Sequence, residues 1–202
     1  MKLYHSPMSP YVRKVMVLLH ETDQLGDVEV MTVATTPLDP ADSLLGKAPL
    51  NRIPALERPD GPTLFDSRVI CAFLDTRAMA GMYLEEAGRW DVLTLEALAD
   101  GILDSALAMT YERRFRPEDK QWDDWLDAQW GKIERACAAL NQRWMAHLSG
   151  PLDMGQIAVA CALGYLDLRH DARGWRKGND ALAAWYADFS ERPSMIATRP
   201  ES

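Results

Sequence analysis

Asn51-Arg52-Ile53-Pro54-Ala55-Leu56, followed by Thr63-Leu64-Phe65-Asp66-Ser67-Arg68, decides how this chain folds. Pro54 lacks an amide donor, so it suits the start of a strand better than its middle. Ala55 to Arg58 then reads as a strand, Pro59-Asp60-Gly61-Pro62 as a turn, and Thr63 to Phe65 as a second strand. Asp66-Ser67 next opens a helix, with Ser67 as N-cap and Val69, Ile70, Phe73 and Leu74 on one side. A hairpin that runs into a helix N-terminus brings exposed backbone edge and unpaired amides to one place. Such a place suits a short anionic peptide.

Upstream, Lys2 to His5 reads as a short strand and Pro10 to His20 as a helix with a broad apolar face. Val28 to Val33 is the best alternating strand in the chain, and Thr35 to Pro49 is a loop with room for one helical turn. The order is β-α-β-(loop/α)-β-β-α. Its first three elements form a right-handed βαβ unit and its last two strands a hairpin, which makes a small mixed sheet.

Downstream of Gly88 no strand signal survives. Trp90 to Phe115 is one helical pattern, ended by Arg116-Pro117. Trp122, Leu126, Trp130, Ile133, Cys137, Leu140 and Trp144 mark a second long helix by their spacing. Asp153-Met154-Gly155-Gln156 has the form of a capping box, and the apolar run behind it is expected to be a buried central helix. Asn179 to Phe189 gives a last helix. The fold class expected is α/β plus all-α, with an α/β domain over residues 1–80 and an all-helical domain over residues 88–202.

Composition narrows the function classes. Of 202 residues, 48% are hydrophobic and 26% charged, which is ordinary globular composition with enough apolar residues for a core. A net charge of -8 disfavours nucleic acid or an anionic membrane as partner, but local helix ends can still attract a small anion. Cys71, Cys137 and Cys161 form no metal spacing and read as buried thiols. No apolar segment at the start resembles a signal peptide, so a cytoplasmic location is expected. No metal is expected either, since His5, His20, His147 and His170 lie in no ligand spacing.

Ser9-Pro10 is first a helix start, because Ser is a preferred N-cap and Pro a preferred first helical residue. A hydroxyl held there can also stabilise a thiolate. A free thiol has a pKa of about 8.5, so half ionisation at neutral pH needs about 2 kcal/mol. A helix end supplies roughly 0.3–1 kcal/mol, and a hydrogen bond to a charged group roughly 1.5–3. One Ser donor plus one helix end is sufficient. A cis bond at Ile53-Pro54 would turn the Ile53 N–H and C=O outward as an edge for a ligand backbone. Amides at Ser67 and Arg68 suit a carboxylate, and Asp66 suits the neighbouring ammonium of an amino-acid head group. His5 and Arg13 are weaker candidates near the same end, and an ion pair with a carboxylate of the helical part is the simpler expectation for Arg13. Met109, Tyr111, Arg113 and Arg114 read first as packing or solvated residues.

Leu3-Tyr4-His5-Ser6-Pro7-Met8-Ser9-Pro10-Tyr11-Val12-Arg13-Lys14 resembles the strand, catalytic residue and helix start of the glutathione S-transferase superfamily. Pro49 to Leu56 is similar to its N-P-L-G-K-I/V-P-x-L segment, Leu64 to Ser67 to its L-x-E/D-S segment, and Trp185 to Pro193 to its closing Trp–Pro spacing. Their order over nearly the whole chain carries the resemblance. It implies a thioredoxin-like βαβαββα domain followed by a helical bundle, and a homodimer. It implies glutathione as co-substrate, with Ser9 donating to the thiolate, Ile53 pairing with the cysteinyl backbone, and Asp66 and Ser67 holding the γ-glutamyl end. The activity implied is attack of that thiolate on a small electrophile, as in detoxification. Glutathione-dependent disulfide or peroxide reduction and non-catalytic glutathione binding stay open. Ala48 stands where the family often has Asn, and Asn51 where it often has Gly, which points to a rebuilt loop. No Cys occupies the active position, which disfavours thiol chemistry of the omega or beta kind.

Overall fold

The computed structural model describes residues 1–200 and divides into two units, Met1–Glu85 with the tail from Pro193, and Glu86–Arg192. The first unit holds β1 (Lys2–His5), α1 (Pro10–Glu21), β2 (Glu29–Thr32), a 3-10 turn at Asp42–Leu44, β3 (Ala55–Arg58), β4 (Gly61–Leu64) and α2 (Ser67–Ala78). The strands form one mixed sheet in the order β2-β1-β3-β4. β1 runs parallel to β2 and antiparallel to β3, with Leu3 opposite Val30 on one side and Leu56 on the other. β4 is antiparallel to β3. This is the thioredoxin-like arrangement, with its second helix reduced to one turn.

Successive strand residues point to opposite faces. Tyr4 packs with Leu44, Ala48 and Ala55 on one face, joined by Val33, Ala41 and Ile53. Leu3 is fully buried, as are Val15, Leu18 and Leu19 of α1 and Ile70 and Leu74 of α2, which pack against each other. Two elements differ from expectation. β2 alternates in sequence but not in burial, since Val30 and Met31 are exposed on the outer strand of the sheet. Val69 of α2 is also exposed, and Cys71 takes its place in the core. β4 begins at Gly61, so Pro62 lies inside it; an outer strand tolerates this because its free side needs no donor.

The second unit is helical: α3 (Gly88–Phe115), α4 (Asp123–Arg143), α5 (Met145–Leu148), α6 (Met154–His170), a 3-10 turn at Asp171–Arg173, and α7 (Asp180–Phe189). Arg116 is extended because Pro117 follows it, and that ends α3. Every residue of α6 from Met154 to Leu166 is buried. Gly155 is required there: a Cβ on it would lie 2.9 Å from the Leu95 Cβ, so α3 and α6 approach at a distance only glycine permits. Asp153 caps α6, with Oδ1 accepting from the Gln156 N–H at 3.0 Å. The reciprocal half of the expected box is missing. The Gln156 amide donates instead to the carbonyls of Pro151, His147 and Gly150, while Asp153 Oδ2 takes the His147 Nε2 at 2.6 Å.

The tail from Pro193, placed by sequence within residues 88–202, packs on the first unit instead. α8 (Pro193–Ala197) lies against α1, where the buried Arg13 guanidinium donates to the Met195 carbonyl at 3.0 Å and the Ser194 hydroxyl donates to Glu21 at 2.5 Å. That corrects the expected role of Arg13, which holds the tail. Among the described residues no helix is long and apolar enough to cross a membrane.

Packing outweighs capping in the second unit. A fully buried Leu such as Leu163 is worth on the order of 2 kcal/mol, and its truncation costs about 2–5 kcal/mol once the cavity is counted. An N-cap is worth about 1 kcal/mol. In urea denaturation, Leu163→Ala and Gly155→Ala should each lower the midpoint more than Asp153→Asn, which keeps a capping oxygen; the reverse order would contradict this ranking.

Candidate functional site

Strand directions place the candidate residues at one end of the sheet. β1 ends at His5, and its pairing of Tyr4 with Ala55 puts the start of β3, Ile53-Pro54, beside the segment that follows β1. β3 and β4 are antiparallel with Leu56 opposite Leu64, so β4 also runs out at that end, into Phe65-Asp66-Ser67. Ser9, Ile53, Asp66 and Ser67, far apart in the chain, are thus gathered by three neighbouring strands.

Ser9 is the N-cap of α1, with Pro10 in the first turn. Its Oγ accepts from the Val12 N–H at 3.3 Å, and its own N–H donates to the Ser6 carbonyl at 3.0 Å. Among the described residues the Ser9 hydroxyl donates to no acceptor. It is half-buried, so a ligand sulfur can be offered that proton.

The Ile53-Pro54 peptide is cis. Neither the N–H nor the C=O of Ile53 has a hydrogen-bond partner among the described residues, while its side chain packs on the Tyr4 cluster. The backbone there is an open edge on an anchored residue.

The start of α2 differs from expectation by one residue. Asp66 is the N-cap, and Ser67 is the first helical residue, buried to 2% exposure. Asp66 Oδ1 accepts from the Arg68 N–H at 3.1 Å, and Oδ2 lies 3.4 Å from the Arg68 guanidinium. One of the two amides expected to meet a carboxylate is therefore already engaged by Asp66. The Phe65-Asp66 peptide is also cis, for which no proline in the sequence gave a signal.

The loop before β3 is stapled by Asn51. Its φ of 50° lies in the left-handed region, which Asn tolerates better than most residues. Its Oδ1 accepts from the Ala41 N–H at 2.9 Å and from the Thr35 hydroxyl at 2.5 Å, and its Nδ2 donates to the Ala41 carbonyl at 2.9 Å. Asn in place of Gly thus keeps the turn and adds three bonds across the loop. Lys47 bridges the same region, donating to Glu57 at 2.7 Å and to the Tyr4 hydroxyl, which itself donates to Glu57. Glu57 and then Tyr4 raise the Lys47 pKa, and Lys47 and then Tyr4 lower that of Glu57.

His5 is more unusual than its sequence context suggests. Its Nδ1 is buried with no hydrogen-bond partner among the described residues, and burial holds its pKa below the ordinary value. No group of His, Cys, Asp and Glu among the described residues could hold a metal ion. Cys71, Cys137 and Cys161 are buried and in no disulfide, and burial, with Glu134 adding, pushes Cys137 up to about 12.

Comparison with known proteins bears on this arrangement. The family model for the glutathione S-transferase N-terminal domain matches residues 3–80, and that for the C-terminal domain matches residues 123–188. The uncharacterized GST-like protein YibF of Escherichia coli (strain K12) is 30% identical over 99% of this chain and 98% of its own length. A glutathione transferase family member from Pseudomonas fluorescens Pf-5, crystallised with bound glutathione, is 47% identical, with a TM-score of 0.97 over 100% of this chain and 99% of that one. A glutathione S-transferase from Methylobacillus flagellatus KT with glutathione bound is 35% identical, with a TM-score of 0.86 over 99% of each chain.

Asn51→Gly should keep the turn and lose the staple, whereas Asn51→Ala loses both. Amide hydrogen exchange at Ala41 is expected to quicken in both variants. The melting temperature should fall further for Ala than for Gly, by about 1 kcal/mol equivalent for the left-handed backbone.

Proposed function

The chain belongs to the glutathione S-transferase family, and from that premise we propose that it binds glutathione in the first unit and uses Ser9 to hold the thiol as a thiolate for attack on a small electrophile. The observation that carries this is the Ser9 hydroxyl: capped onto α1 through its oxygen, with its proton uncommitted among the described residues. A sulfur beside it receives an O–H donor and the positive end of a helix together. That combination lowers a thiol pKa by the required amount.

The rest of the tripeptide fits the same end of the sheet. The Ile53 N–H and C=O pair with the cysteinyl backbone. The γ-glutamyl carboxylate takes the Ser67 amide and hydroxyl, and Asp66 Oδ2 takes the ammonium, displacing the long contact with the Arg68 guanidinium. The Pseudomonas fluorescens relative was also crystallised with S-(propanoic acid)-glutathione, a thioether at the glutathione sulfur, which supports transfer to carbon as the reaction class. A cytoplasmic homodimer is the assembly we infer, consistent with the exposed Phe65 and Val69 at the start of α2.

Ser9→Ala should raise the pKa of bound glutathione, read from its thiolate absorbance in the ultraviolet. It should lower kcat with a chlorodinitrobenzene electrophile by roughly 10–100-fold, the worth of one hydrogen bond to a charge. Asp66→Asn should act mainly on the KM for glutathione. An unchanged thiol pKa in Ser9→Ala removes Ser9 from the mechanism, and no retention of the wild-type protein on immobilised glutathione removes the proposal itself.

A further inference from the structure

The helical unit contains a cavity of ≈ 230 Å³ whose lining combines apolar and cationic groups. Met109 of α3 and Leu126 of α4 supply the apolar part and are themselves almost fully buried. Arg113, Arg169, His170 and Arg173 supply the rest. Arg113, Arg169 and Arg173 are exposed at its mouth and His170 is half-buried, so the cavity opens to solvent between cationic groups that an incoming anion can reach.

Pairing accounts for only part of the charge. Arg113 donates to Gln121 at 2.5 Å and to Asp123 at 2.7 Å, and the Gln121 amide is tied back to the carbonyls of Arg113 and Arg116. Arg173 donates to Asp127 at 2.7 Å and lies over the Trp130 ring. Arg169 lies beside the Tyr165 hydroxyl and pairs with no carboxylate among the described residues. Three guanidinium groups therefore face two carboxylates, and the two paired ones are held in place while keeping further N–H donors.

His170 adds a group that responds to charge. Its Nε2 lies 2.9 Å from the Ala106 carbonyl and 3.2 Å from the Thr110 hydroxyl. A carbonyl only accepts, so Nε2 carries the hydrogen, and in the neutral ring Nδ1 keeps its lone pair. Burial holds the pKa below its ordinary value, Arg173 and Arg169 lower it further, and the Ala106 bond opposes them. The ring is surrounded by Ala106, Thr110 and Arg113 from α3, Trp130 from α4, Tyr165 and Arg169 from α6, and Arg173 from the turn, with Asp127 reached through Arg173. An anion placed among these cations would let the ring take a proton.

We propose that this cavity is a binding site for a small organic carboxylate, its charge met by Arg169 with Arg113 and Arg173, and its apolar body resting on Met109 and Leu126. The arginine fork matches a carboxylate in two parallel bonds. The apolar side favours an organic acid over a fully hydrated inorganic anion. The volume, below the roughly 300–1,000 Å³ of pockets for drug-sized ligands, calls for a small one. This site does not depend on the glutathione reading, because every residue in it belongs to the helical unit.

Benzoate is the probe, titrated by calorimetry into the full chain without glutathione. Saturable binding is expected, with benzamide, its neutral counterpart, at least about tenfold weaker. Arg169→Gln should weaken benzoate by about tenfold while leaving the thermal midpoint and glutathione retention unchanged, and Arg169→Lys should recover part of the loss. Benzoate affinity should rise as pH falls from about 8 to 6, with proton uptake on binding, and His170→Gln should flatten that dependence. Absence of saturation, equal binding of benzamide, or an unaffected Arg169→Gln would overturn the assignment. None of these outcomes bears on whether glutathione binds the first unit.

Discussion

The position of β1 between β2 and β3 is the constraint on which the first unit depends. Its parallel partner and its antiparallel partner meet at Leu3, which is fully buried. A one-residue slip would carry Leu3 to the opposite face and put Tyr4 in its place. The same slip would shift Ile53-Pro54 relative to the Ser6–Ser9 segment that follows β1. Core packing and site geometry are therefore one requirement. The hydrophobic pattern that selects the register also determines which loops share an end of the sheet.

At that end, helix capping and ligand binding use the same atoms. Ser9 and Asp66 both cap a helix through a side-chain oxygen. For Ser9 the two uses are compatible, because a hydroxyl can accept from Val12 and donate elsewhere at once. For Asp66 they compete. Its carboxylate already holds the Arg68 amide, and a ligand carboxylate arriving at α2 must share that positive helix end. A cap of about 1 kcal/mol yields to charge-assisted bonds of roughly 1.5–3 kcal/mol, so binding can prevail without α2 being lost.

The helical unit is organised by close approach. Gly155 lets α6 reach α3, and Asp153 serves both the α6 amide and the His147 ring. Charge is handled differently at the other end of α6. There Arg169 and His170 follow the last buried turn, and Arg173 closes the next one. Basic residues suit a helix C-terminus through the dipole alone, but the dipole does not explain a cavity between them.

Periodicity and punctuation were enough to read the order of the strands and long helices from sequence, though not the short α5 and α8. Pro54, Pro10 and Pro117 mark starts and stops because a missing donor and a fixed φ act locally. The apolar run after Asp153 announced a helix buried all round. Ser9 and Asp66 could be singled out because capping chemistry is local too. The sequence did not determine which residues share a neighbourhood. The tail from Pro193 lies on α1 through Arg13, Val69 yields its core place to Cys71, and Asn51 binds residues ten and sixteen positions away. Arg113 read as a packing or solvated residue, and only the bundle brings it beside Arg169 and Arg173 around one cavity. Long-range pairing is set by the packing of the whole chain, and no window of sequence contains it.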